Sequence, residues 1–128
     1  MTINNSKRPK YLNLLKIRMP ISAVTSILHR FSGLILFLTI PVLIYVLQKS
    51  LGSEAGYQQI VGYFSTPLIQ VITLLIIWAL LHHLLAGIRF LFIDFDIGVA
   101  RSSALTTSWI VSVLAAGVSV VIALKVLL

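Results

Sequence analysis

Residues 80–96 read LLHHLLAGIRFLFIDFD: two histidines, an arginine and two aspartates in or beside an oily run. Ionisable side chains are costly in hydrocarbon, and where they occur they mark functional sites by default. On a helix, His83, Gly87, Phe90 and Asp94 share one face, and His82, Ala86, Arg89 and Ile93 share the adjacent one. Upstream, Ser22, Ser26, Arg30 and Gly33 also fall on one face, with Thr25, His29 and Ser32 beside it. A histidine deep in lipid with an arginine at similar height suits three chemistries. Imidazole nitrogen ligates the iron of a b-type haem, whose apolar macrocycle fits helix walls. Its anionic propionates then need cations such as Arg30 and His29. A quinone headgroup takes hydrogen bonds from donors such as Ser26 or Arg30 and leaves its tail in lipid. A His–Asp proton relay is the third. Composition and spacing do not choose among them.

The plainer readings stand beside these. A membrane histidine is often only hydrogen-bonded to a neighbouring helix, and the serines suit a small-residue packing seam. Arg30 can snorkel toward the interface, although it lies roughly 13 Å along the helix from Ile21. His82 and His83 point about 100° apart, so they cannot clamp both faces of one haem. If one is an axial ligand, a second chain supplies the other. Gly87, one turn from His83, leaves room for a flat ligand or a close helix.

These residues need rigid elements at defined depth, and the composition supplies them. The chain has 128 residues, 59% hydrophobic and 10% charged, which points to a membrane protein. It has no cysteine, so disulfides and Cys-ligated zinc or iron–sulfur clusters are excluded. Three segments reach the ~20 apolar residues that cross a bilayer: about 21–47, 67–93 and 104–128. All three must be helical, because lipid offers the backbone no other partner. The expected fold is an all-α membrane protein. Pro41 is expected to kink the first span. Ser65 and Thr66 before Pro67, and Ser102 and Ser103, are expected to cap the second and third. The first linker, residues 48–64, is expected to hold a short interfacial helix, and residues 94–103 a tight turn. On the third span, Ser108, Ser112, Ala115, Ala116 and Ser119 form a small-residue face for helix contact. The first apolar run is too long for a signal-peptide core. The segment before it is too short for a typical transit peptide, which favours a bacterial source.

Formal net charge is +7, but the charges sit at the ends of apolar segments rather than in a nucleic-acid groove. Lys7, Arg8, Lys10, Lys16, Arg18, Arg30, Arg89 and Arg101 fall on one side, and Lys49 and Lys125 on the other. By the positive-inside rule the basic segment 1–20 and the second linker are cytoplasmic, and the C-terminus is periplasmic. Arg89 reads as an inside-positive anchor.

Two blocks carry a family resemblance. RPKYLNLLKIRMPISAVTSILHRFSG, residues 8–33, resembles an Arg-Pro start, then Pro-Ile, then Ser-Ile-x-His-Arg-x-(Ser/Thr)-Gly. HLLAGIRFLFIDFD, residues 83–96, resembles His-x-x-x-Gly-Ile-Arg-(His)-x-x-x-Asp. In order, spacing and three-span topology the chain resembles the larger cytochrome b anchor subunits of succinate dehydrogenase (complex II). The resemblance covers essentially the whole chain.

It implies half of a two-subunit anchor bundle that shares haem b with a second small anchor subunit. It implies His83 as axial iron ligand, His29 and Arg30 toward the propionates, and Ser26, Arg30 and Asp94 at a ubiquinone site, with Asp94 pairing Arg30. Docking to an iron–sulfur subunit, itself attached to a flavoprotein, is implied for segment 1–20. Such a chain is not catalytic alone; it serves succinate:quinone oxidoreduction in the tricarboxylic acid cycle and respiratory chain at the bacterial inner membrane. There are departures: Phe90 stands where the family often has histidine, and His82 where relatives carry an aromatic residue. The competing readings are a self-contained b-type cytochrome ligated by His29 and His83, and a haem-free structural or transport subunit.

Topology is directly testable. A reporter fused after Leu128 is expected to read periplasmic, and a cytoplasmic reading would overturn the orientation.

Overall fold

The computed structural model of the chain describes residues 18–127. Within them lie four helices: α1 (Ile21–Gly52), α2 (Glu54–Phe64), α3 (Pro67–Asp94) and α4 (Arg101–Leu127). Three are long and apolar enough to cross a membrane, namely α1, α3 and α4. The basic residues Lys7, Arg8, Lys10 and Lys16 lie outside the described residues.

The first span overshoots its expected end, because α1 has 32 residues and runs through Gln48, Lys49 and Ser50. That is roughly 48 Å of helix, more than the hydrocarbon core needs. The chain stays helical on both sides of Pro41. The expected interfacial helix is α2. Its N-terminus is capped by the Ser53 hydroxyl, which accepts from Gly56 N at 3.0 Å.

Two capping expectations are corrected. Thr66 does occupy the N-cap position of α3 with Pro67 following, but its side chain makes no cap bond. Thr66 Oγ1 donates instead to Tyr63 O at 2.7 Å, and Ser65 Oγ to Val61 O at 3.1 Å. Both hydroxyls thus satisfy the orphan carbonyls that end α2. Ser102 and Ser103 do not cap α4, because that helix already begins at Arg101. Ala104 N reaches back to Ala100 O at 2.8 Å, and this bond places both serines inside the first turn.

The α3–α4 turn is built by a residue with no chemical role assigned to it. Asp96 adopts φ 60° and Gly98 φ 76°. Asp96 N donates to Ile93 O and Ile97 N to Phe92 O, both at 2.9 Å. This is the paired-bond helix stop whose pivot residue is left-handed, and aspartate tolerates that conformation better than most.

Packing is inverted relative to a water-soluble bundle. Ala79, Ala86, Ala115, Thr25, Ser32 and Ser108 are fully buried, whereas Phe37, Leu51 and many other large apolar side chains are exposed. Helices in lipid gain little by hiding leucine from leucine-like solvent, so small residues that allow close approach take the middle. The buried hydroxyls cost little because each returns its proton to its own helix. Thr25 Oγ1 donates to Ile21 O, Thr39 Oγ1 to Ile35 O and Ser108 Oγ to Ala104 O, all at 3.0 Å or less. Across helices, Thr25 and Ser112 hydroxyls lie 3.5 Å apart. Of the expected small-residue face on α4, Ser108 and Ala115 are buried, Ser112 and Ser119 are half-buried, and Ala116 faces outward. The central helix is α3, which packs on both α1 and α4.

Candidate functional site

The chemistry-bearing residues converge where α1 meets α3. The imidazoles of His29 and His83 stack with centroids 4.1 Å apart and planes 7° apart. Phe90 closes the cluster edge-on, 5.2 Å from His29. A Cβ on Gly33 would lie 2.8 Å from His83 Cε1, and one on Gly87 would lie 3.4 Å from His29 Nε2. Gly33 therefore makes room for His83, whereas at Gly87 the contact with His29 would be ordinary. The expectation that Gly87 makes room near His83 is refined accordingly: Gly33 accommodates His83, and Gly87 lies against His29.

His83 is oriented by its Nδ1. That atom lies 3.0 Å from His29 O and 3.3 Å from Ser32 Oγ. A carbonyl only accepts, so the imidazole proton sits on Nδ1 and is donated to His29 O. Ser32 Oγ gives its own proton to the same carbonyl at 2.8 Å, leaving its lone pairs toward His83. The consequence is a defined tautomer in which Nε2 carries the free lone pair. A histidine held this way by a backbone carbonyl is the arrangement that orients metal-ligating imidazoles. No group of three His, Asp or Glu side chains gathers into a metal cage among the described residues.

His82 is separated from this cluster. It is 1% exposed inside the three-helix core and stacks on Trp78 with centroids 5.4 Å apart. Its Nε2 has no hydrogen-bond partner among the described residues. The two neighbouring histidines thus serve different surroundings, His82 the core and His83 the α1 interface.

The remaining candidates fall at one end of the bundle. Ser26 is half-buried, and Arg30 and Asp94 are exposed. The contacts Gly33–His83 and His29–Gly87 define an antiparallel register in which Arg30 is level with Ala86 and Asp94 with Ser22. Asp94 therefore lies roughly 12 Å along the axis from Arg30. The expected Arg30–Asp94 ion pair is not formed, for that reason.

Arg89, expected as an inside-positive anchor, is 7% exposed and lies between α3 and α4. Its Nε donates to Thr107 Oγ1 and its Nη2 to Ala104 O, both at 3.0 Å. Its spacing from Thr107 was visible in the sequence, but nothing there fixes the rotation of α3 that turns Arg89 inward.

A family model described as "Succinate dehydrogenase/Fumarate reductase transmembrane subunit" matches residues 4–124. The chain belongs to this family. Relatives named succinate dehydrogenase cytochrome b556 subunit include one from Coxiella burnetii, 38% identical over 70% of this chain and 73% of the relative. Another, from Rickettsia felis, is 32% identical over 84% of each chain. One from Paracoccus denitrificans is 32% identical over 80% of this chain and 78% of its own. This protein is accordingly a multi-pass transmembrane anchor subunit of the succinate dehydrogenase complex, which implies further subunits beside it.

The glycine pair yields a contrast in stability. Gly33→Ala is expected to destabilise the fold by about 1–3 kcal/mol, because the stacked and hydrogen-bonded His83 ring cannot retreat without losing its partners. Gly87→Ala meets only ordinary contact and is expected to stay within about 0.5 kcal/mol of the parent. Thermal unfolding in detergent checks this, and equal melting temperatures for the two variants would overturn it.

Proposed function

We propose that this subunit binds haem b together with a second anchor subunit and forms part of the ubiquinone-reduction site of succinate:quinone oxidoreductase. The observation that carries the reading is the Nδ1–H of His83 donated to His29 O at 3.0 Å, which leaves Nε2 available for iron. The relatives' name, cytochrome b556 subunit, points the same way. Residues and cofactor are compatible. His83 would ligate the haem iron, and Gly33 lets α1 close against its imidazole. Arg30 would supply positive charge and His29, next to it on α1, an N–H donor for the propionates. When bound, haem b would supply a one-electron carrier.

The core position of His82 supports His83 as the ligand, since a group stacked on Trp78 and 1% exposed has no path to a cofactor shared with another chain. Two imidazoles lying face to face at 4.1 Å do not present lone pairs to one iron from opposite sides. That geometry counts against a self-contained cytochrome ligated by His29 and His83, and favours a ligand from the partner anchor.

In this reading two electrons leave succinate in the flavoprotein, pass through the iron–sulfur subunit and reduce ubiquinone with two protons to ubiquinol. Ser26 and Arg30, one turn apart on α1, donate hydrogen bonds to the quinone oxygens and hold the headgroup as negative charge develops there. Asp94, exposed at the end of α3, relays protons from the cytoplasmic side. The site is completed by the iron–sulfur and second anchor subunits, and segment 1–20 docks the former. The complex sits in the bacterial inner membrane with the N-terminus cytoplasmic.

Reduced-minus-oxidised spectra test the ligand. His83→Ala is expected to abolish the low-spin b-type signal, whereas His82→Ala keeps it; a normal spectrum in His83→Ala would sink the assignment. For the quinone site, Arg30→Leu is expected to lower quinone reduction roughly ten- to a hundredfold, the worth of a charge-assisted hydrogen bond. Succinate oxidation with a soluble dye should survive. Unchanged quinone kinetics would remove Arg30 from the site.

A further inference from the structure

A second amphiphilic site lies on the far side of α3. Leu85, Ile88 and Phe92 follow His83 by two, five and nine residues, which puts them about 200°, 140° and 180° around the helix from it. They line a cavity of about 360 Å³ between α3 and α4, with Arg89, Thr107 and Ile110. The face toward His83 and α1 is therefore not the face that opens here, and a cofactor shared at His83 does not reach it.

The cavity is largely apolar: its polar side chains are Arg89 and Thr107, and of these only Arg89 is charged. Arg89 is 7% exposed, and a guanidinium stays protonated in proteins. Of its five N–H groups, two are used, on Thr107 Oγ1 and Ala104 O. The chain holds only three acidic side chains, Glu54, Asp94 and Asp96, and none pairs with Arg89. A cation held at the edge of hydrocarbon without a counter-charge is expensive, and such groups are paired. The missing partner must be anionic at Arg89 and apolar along Leu85, Ile88 and Ile110. The planar fork of arginine suits phosphate oxygens in particular. The guanidinium bonds at Ala104 and Thr107, three to six residues into α4. That puts it roughly 5–9 Å from the helix start, near headgroup depth. Arg101, exposed at that start, adds positive charge at the same end.

We propose that the α3–α4 cavity holds one anionic phospholipid, its phosphate on Arg89 and an acyl chain along Leu85, Ile88 and Ile110. The lipid supplies the counter-charge that the chain lacks and seals α3 against α4 on the side away from His83.

The purified complex provides the test. After delipidation in detergent it is offered phosphatidylglycerol or phosphatidylcholine, and retained lipid is counted by native mass spectrometry. The parent is expected to keep one phosphatidylglycerol per copy of this chain and to retain phosphatidylcholine at least about tenfold less. Arg89→Gln should erase that preference, and Arg89→Lys should keep part of it. Ile88→Trp fills the cavity while leaving Arg89 in place, and it too should exclude the lipid. It decides the matter if Arg89→Gln does not assemble. Equal retention of both lipids by the parent, or undiminished phosphatidylglycerol on Ile88→Trp, would overturn the proposal.

Discussion

At Gly33 the backbone of α1 comes so close to α3 that a methyl group there would lie 2.8 Å from His83 Cε1. That approach is what allows the His83 ring to lie against His29, at 4.1 Å, and to donate to the His29 carbonyl. One main-chain oxygen, receiving both Ser32 and His83, thereby sets the tautomer and rotation of an imidazole on another helix. The register follows from the same contact, and with it the level of Arg30 relative to every polar group on α3. A shift of one helical turn would carry His29 away from Gly87 and leave His83 without its acceptor.

The rest of the bundle is arranged to permit that closeness. Alanine, serine and threonine fill the middle, and their hydroxyls bond back to their own helices, so a polar interior is tolerated without many interhelical bonds. Large apolar side chains go outward, where lipid accepts them. The two buried ionisable groups on α3, His82 and Arg89, go to different places. His82 is stacked on Trp78 within the core. Arg89 bridges to α4 and lines a largely apolar cavity there. The faces of α3 thus differ, with the His29–His83 stack toward α1 and a charge-bearing cleft toward α4.

Much of this was legible in the residues. Helix length and apolar content are local properties, so the three spans could be located within a few residues, and the short helix in the first linker could be anticipated from its residues alone. Motif spacing was equally local: His29, Arg30 and Gly33, and His83 and Gly87, lie on single helices whose periodicity is known in advance. The structure brings His29 and His83, on antiparallel helices, into contact.

What the tertiary structure decided is azimuth. Periodicity says which residues share a face, but the rotation of each helix about its axis is set by packing against its neighbours. That rotation turned Arg89 toward α4 and separated His82 from His83; it also brought Gly33 against His83 and Gly87 against His29. It also sent the Ser65 and Thr66 hydroxyls back to α2 instead of forward to α3, because the chain reverses there and the nearer orphan carbonyls win. In sum the sequence determined which elements cross the membrane and which residue types they carry. Only the packed helices determined which of those residues meet, since contact depends on the relative rotation and register of helices that are distant in the chain.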